Sequence, residues 1–335
     1  MLSWMILAAW ATPPDVTEMD VEPEVIEVAP TQSELLEEGV ALRRVGAFDD
    51  AYSMLVQAQS LHEGHGDQVA YQLGVLHEVQ ERWGDAIAVY ADVASQWPKS
   101  DTASDARFRR AYCLEELGQH KEAIAAVRSL QSDGRWSDAD ERTMQLQRGI
   151  TEIRAGKTRK GIRRVLKHLS SGTDNRSWIR AKSRLALVRA QTQAAAEIDL
   201  KGDKKAARRL KKRAQLIAAS EKQAIVMFNL GEPEFALEGL MLLGDAYLLL
   251  YTDMLSYPPP RSISAADQES YREVVKQKAQ ILKTKAHARY DEGVRVAART
   301  QWVGSVTQRL KDKRTETADS TEPSQSAESV GAEAP

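Results

Sequence analysis

Cysteine occurs once in the 335 residues, at Cys113. A single thiol excludes an internal disulfide and any zinc or iron–sulfur centre built from several cysteines. Aromatic residues are scarce at 6%, with only four phenylalanines. Ala, Leu, Glu, Arg and Gln dominate instead, and these residues favour helix. No run of 18 uninterrupted apolar residues exists, so no membrane-spanning helix is expected. Charge of one sign is also lacking. The formal net charge is −2, so the electrostatics of the whole chain point to no particular partner. At 42% apolar and 28% charged residues, the composition is that of a folded protein of one large or two ordinary domains.

The first 31 residues carry six acidic and no basic side chains. Residues 2–11, LSWMILAAWA, form a short apolar run that ends in Ala9-Trp10-Ala11 before Thr12. That ending fits a small-x-small cleavage pattern, so 1–11 is expected to be a signal peptide. No basic residue precedes the run, and the alternative is a short apolar terminus that is retained. Residues 12–31 are rich in proline and acid without helical period, and read as a disordered linker. The expected location is the periplasm or cell envelope, with the cytoplasm as the alternative.

From Gln32 the apolar spacing becomes helical and repeats with a period in the mid-thirties. The first unit carries Gly39, Leu42, Gly46-Ala47-Phe48, Ala51, Leu55 and Ala58. The second carries Leu73-Gly74, Trp83, Ala86, Tyr90 and Pro98, and the third Ala111, Leu114, Gly118, Ala123, Val127 and Leu130. Small residues at matched places on paired helices let the helices approach closely. Gly39, Gly74 and Ala111 take that place on the first helix of each pair; Ala51, Ala86 and Ala123 take it on the second. Gly46 and Gly118 are placed to end first helices in a left-handed backbone. Pro98 cannot continue the second helix of its pair.

These three units resemble tetratricopeptide repeats, through Leu73-Gly74, Gly46-x-Phe48-x-x-Ala51, Trp83-x-x-Ala86 and Ala86-x-x-x-Tyr90. Residues 96–127 are similar in style to bacterial envelope repeat proteins, a group that includes outer-membrane assembly lipoproteins and the periplasmic Tol-Pal coordinator. The resemblance covers 32–137. It implies an all-α helical-hairpin repeat solenoid in which first helices line a groove that binds extended or helical peptides. The groove positions would be Leu36, Val40, Arg43, Arg44, Gln68, Tyr71, Val75, Glu78, Phe108, Tyr112 and Glu115. Tyr71, Phe108 and Tyr112 are aromatics that repeat packing does not require, and such residues often anchor interfaces. Burial between neighbouring repeats is the competing reading. The Lys and Asn pair with which chaperone-tail binders clamp a carboxylate is missing.

Downstream the pattern decays. A fourth unit near 142–175 keeps Gly149, Gly156 and Val165 but places Thr158 and Gly161 where an aromatic and an alanine belong. The repeats are assigned to 32–175 and an elongated helical part to 176–311. Two helices are predicted over 177–200 and 203–223, meeting at Lys201-Gly202-Asp203. A further unit begins near 232, where Leu243-Gly244-Asp245-Ala246-Tyr247 repeats the first-helix signature. Ser264 and Asp267 read as a capping box that opens a helix to Thr300, with Tyr271, Val274, Val275, Ile281, Leu282, Tyr290, Val294 and Ala297 on its apolar side. A short helix over 302–311 is expected to cap the array, followed by a disordered tail over 312–335.

Few constellations suggest chemistry. Gly156-Lys157-Thr158 lacks the second glycine of a phosphate-binding loop, since Thr151 stands there, and a helix precedes it instead of a strand. His62-Glu63-Gly64-His65 has its histidines three apart, where a zinc-protease helix needs four, and reads as a solvated loop. Cys113 reads as a small buried hydrophobe. No catalytic, metal-binding or cofactor-binding residues are assigned. The feature above background is charge: residues 141–213 hold 22 Lys and Arg against 6 Asp and Glu. Arg159, Lys160, Arg163, Arg164 and Lys167 recur at helical spacing, as do Lys204, Lys205, Arg208, Arg209, Lys211, Lys212 and Arg213. They form either a surface for an anionic polymer, lipid or acidic protein, or a solvated face. Trp178 is the only aromatic that could interleave with them for base stacking, so nucleic acid is a cytoplasmic alternative and is disfavoured for an exported protein. The reading is a non-catalytic scaffold that binds a protein or peptide partner.

Overall fold

The computed structural model describes residues 29–133, 136–170, 176–200, 205–259 and 263–318. Among these are thirteen helices and no strand. The expected signal peptide and most of the acidic linker lie outside the described residues, as do Lys201-Gly202-Asp203 and residues 319–335. The chain divides into two compact units between Val69 and Ala70, a boundary that falls inside one helix.

The first unit holds α1 (Gln32–Val45), α2 (Phe48–Leu61) and the start of α3 (Gly66–Val79). Thr31 and Glu34 cap α1 reciprocally: the Glu34 amide donates to Thr31 Oγ1 at 3.3 Å, and the Thr31 amide to Glu34 Oε2 at 2.8 Å. A side chain on Gly39 would put its Cβ 2.8 Å from Leu55 Cγ, so only glycine allows α1 and α2 to close. Gly46 ends α1 at φ +85° as expected. The buried Gln32 donates to the Ala58 carbonyl at 2.8 Å and accepts from the His65 amide at 2.8 Å. Glu63 accepts from the Gln32 amide at 2.8 Å, so the His62–His65 loop ties the start of α1 in place.

The second unit continues with α4 (Trp83–Gln96), α5 (Asp101–Glu116), α6 (His120–Ser132), α7 (Asp138–Arg154) and α8 (Thr158–Leu169). It then runs through α9 (Ser177–Ala196), α10 (Ala206–Phe228), α11 (Pro233–Ser256), α12 (Asp267–Thr300) and α13 (Ser305–Ala318). Gly74 receives the fully buried ring of Tyr90, which a Cβ would meet at 2.6 Å. The same device returns at Gly244, where the buried ring of Tyr290 would lie 2.3 Å from a Cβ. Burying each such ring stabilises the pair by roughly 1.5–3 kcal/mol. Consecutive hairpins built on small-residue contacts make this an all-α helical-repeat fold of the tetratricopeptide type.

Three expectations are corrected here. Gly161 is not a degenerate alanine position: its Cβ would lie 2.5 Å from the Gly149 carbonyl oxygen, so α7 and α8 meet backbone to backbone. Val274 and Ile281 are exposed, at 46% and 61%, although the period of α12 puts them on its apolar side. The last helix begins at Ser305 and does not stop at 311 but runs to Ala318, with Leu310 seated against Gly293. By length and composition alone α11 could cross a bilayer, unlike any segment expected from the sequence. However, 61% of its most apolar window is buried within the protein, as in the core helix of a repeat stack.

Candidate partner-binding site

The second unit encloses a cavity of about 460 Å³, within the size range of binding pockets. Its walls come from α3, α5, α7, α9 and α11. On α5, Asp105, Phe108, Arg109 and Tyr112 recur at spacings that put them on one face, and all four line the space. Trp136, Trp178 and Phe235 complete an apolar wall, with the Phe108 and Trp178 rings edge to face at 5.8 Å.

Five carboxylates and two guanidiniums face this cavity. Arg109 is held by two partners: Nε donates to Tyr71 Oη at 2.7 Å and Nη1 to Glu78 Oε1 at 2.7 Å, while Tyr90 Oη donates to Glu78 Oε2 at 2.8 Å and fixes that carboxylate. Burial would favour its neutral form, but the charge on Glu78 outweighs that and holds Arg109 protonated. Arg176 pairs with Asp140 at 2.6 Å. That leaves Asp105, Glu232 and Glu234 without a cation of their own in the lining set. Ser177 Oγ donates to Glu232. Asp105 is pushed up by burial, against the pull of Arg109 and Arg176. Glu234 opens α11, where the helix dipole favours an anion by up to about 2 kcal/mol. Burial outweighs it, and with Glu116, Glu238 and Glu78 nearby and only Lys182 opposing, the carboxyl is pushed up to about 7. Water still reaches Glu234, which is exposed although it lines the space. A second cavity, of about 370 Å³, shares Glu78, Tyr112, Glu234 and Phe235 with the first and is bounded beyond them by Trp302 to Val306.

Of the expected groove residues, Tyr71, Glu78, Phe108 and Tyr112 are brought together on this cavity. Leu36, Val40, Arg43 and Arg44 lie on α1, and Gln68 at the start of α3, in the first unit. Two of the expectations fail. Val75 is 6% exposed and packs in the core with Ala86 and Tyr90. Glu115 is fully buried and accepts from Lys182 Nζ at 3.2 Å, Arg154 Nη1 at 2.9 Å and the Gln147 amide. Lys182 also lies 3.6 Å from the centre of the Tyr112 ring. Asp105, Arg109, Trp136, Arg176, Glu232, Glu234 and Phe235 were missed. The four-residue spacing on α5 could have found Asp105 and Arg109; nothing in sequence joins α11 to α5.

The basic stretch breaks into different environments. Arg159, Arg163 and Lys167 on α8 and Lys205, Arg208, Lys211 and Lys212 at the start of α10 are exposed. Lys160 and Arg164 pair with Glu152 at 3.3 and 3.0 Å. Arg209 donates to the Asp199 carbonyl at 3.3 Å. Arg213 is not surface at all: it is 1% exposed and pairs with Asp253 at 2.5 Å. Lys204 lies outside the described residues.

A family model described as "T7SS, ESX-1 secretion system protein EccA1, N-terminal domain" matches residues 26–222, more than half of the chain. The chain belongs to this family. The EccA1 N-terminal domain match ends within α10, so Glu232, Glu234 and Phe235 lie beyond it. Comparison with curated proteins found no match. Among solved structures, a tetratricopeptide repeat protein from Parabacteroides merdae is similar over 86% of this chain and 98% of that one, at 16% identity and a TM-score of 0.40. Helical-repeat folds of this type present surfaces for protein partners and are typically non-catalytic.

Proposed function

We infer that the protein is a binding scaffold that holds a segment of a partner protein in the aromatic-walled cavity of its second unit. The observation that carries this reading is the convergence of Phe108, Tyr112, Trp136, Trp178 and Phe235, from three helices and the loop before α7, on one open space of about 460 Å³. Aromatic anchors around a partly desolvated pocket are how interfaces concentrate affinity. The family description supports a partner within a secretion system. The compartment we infer is the cell envelope, reached by cleavage before Thr12; the small-x-small ending supports this. The intact mass of the native protein from separated cell fractions tests it, and a cytoplasmic species that retains Met1 would sink it.

The scaffold reading is tested by plugging the cavity without removing any of its packing. Ser104 lines the space from α5, and Ser104→Trp fills it. Wild type and variant are used side by side to capture proteins from the native cell, followed by quantitative mass spectrometry. Loss of a small set of partners from the variant alone supports the reading. Identical partner sets, with both proteins equally stable to heat, exclude the cavity as the docking site.

A further inference from the structure

The cavity names the chemistry of its occupant. Two of its carboxylates, Glu78 and Asp140, are matched by Arg109 and Arg176. Asp105 and Glu234 are not matched, and they line the same space as the aromatic rings of Phe108 and Trp178. Resting on the scaffold reading above, we propose that the segment held here carries an arginine or lysine side chain, seated between Asp105 and Glu234 against aromatic walls.

Three observations converge on this. Charge complementarity is the first: the lining carries an excess of acid although the chain as a whole is nearly neutral. The second is solvation. Asp105 and Glu234 are both held above the ordinary carboxyl range, chiefly by burial. An arriving cation would relieve that cost and return both to the charged state. The third is precedent inside the fold. Lys182 already sits over the Tyr112 ring within reach of Glu115 and Glu116. Arg109 likewise lies over the Tyr71 ring at 5.8 Å while paired with Glu78. An aromatic face plus a carboxylate is therefore one way this unit seats its own cations, at Lys182 and Arg109. Glu234 belongs to both cavities, so a cation there would fix a segment that continues into the second one.

The test is selection of a randomised peptide library on the full-length protein at physiological salt. The expected result is enrichment of arginine or lysine beside an apolar residue. Replacing that arginine by citrulline, which keeps the shape and removes the charge, weakens binding tenfold or more, as does Asp105→Asn combined with Glu234→Gln. Ser104→Trp abolishes binding of the same peptides. Peptides that are lost with Ser104→Trp but show no basic preference, and tolerate the double variant, overturn the cation proposal and leave the scaffold reading standing. Peptides that tolerate Ser104→Trp, or no enrichment at all, overturn both.

Discussion

At the residue scale, closeness between helices rests on a few side chains that are absent. Gly161 and Gly149 touch backbone to backbone, and a Cβ at 161 would also lie 2.7 Å from the Ile153 amide nitrogen. Backbone atoms cannot swing aside as the tip of a flexible side chain does. Gly161→Ala is expected to cost about 2–3 kcal/mol. Gly84, in the first turn of α4, has open space around its Cβ position and an ordinary backbone; Gly84→Ala should be neutral or stabilising by up to about 1 kcal/mol. Urea unfolding midpoints of the two variants check the contrast, and equal midpoints would remove the close-packing argument. Charge is local in the same way. Lys182 joins Glu115 and Glu116 at 3.2 and 3.3 Å, but Glu115 keeps Arg154 when Lys182 is lost. Lys182→Met is therefore expected near the low end for a broken buried pair, about 3 kcal/mol. A change below about 1 kcal/mol by the same unfolding measurement would show that Arg154 alone suffices.

At the element scale, the sequence showed helix starts and glycine stops well and the neighbours of a helix poorly. Gly46, Gly118 and Gly156 all end helices with positive φ, because a left-handed residue is a local requirement. The Ser264–Asp267 pair was legible in part: the Asp267 amide donates to Ser264 Oγ at 3.2 Å and Ser264 Oγ donates to Asp267 Oδ2 at 2.6 Å, but the helix begins only at Asp267, with Ala266 as its N-cap. Ser264→Ala should cost about 1 kcal/mol and raise hydrogen exchange over the first turns of α12, with Tyr290 unaffected. Uniform exchange along the helix in the variant would contradict a local cap. The exposed Val274 and Ile281 show the limit of periodicity. A period of 3.6 tells which residues share a face, not whether another element covers it. Nothing is fully buried on α12 before Ala279. The same limit hid the candidate site. Glu234 and Phe235 line the same cavity as α5 only through the tertiary fold, across more than a hundred residues, and no pattern within either helix records it.

At the scale of the whole molecule, the site joins a stretch shared with the family to one outside it. Asp105, Phe108 and Tyr112 fall inside the matched residues 26–222; Glu234 does not. Glu234 also makes the second unit sensitive to pH in an unusual direction. Its carboxyl is held at about 7 in the folded chain against 4.5 for the free group, so the folded state keeps a proton that the unfolded state releases. Its contribution to stability is therefore present below pH 4.5 and is lost as pH rises through 7. Wild-type Tm should fall relative to Glu234→Gln between about pH 5 and 8, and parallel curves for the two proteins would exclude the shift.

The burial of Cys113 has a practical reach. Its thiol has no exposed surface and is pushed well up by burial, with Glu78 adding to the effect, so it reacts slowly with alkylating reagents. One cysteine introduced at a chosen rim position of the cavity would then be the single fast-reacting sulfur in the chain. The protein thus comes supplied with a silent background for site-directed cross-linking. A photoreactive or maleimide tether placed at successive rim positions could trace, residue by residue, the path a captured polypeptide takes.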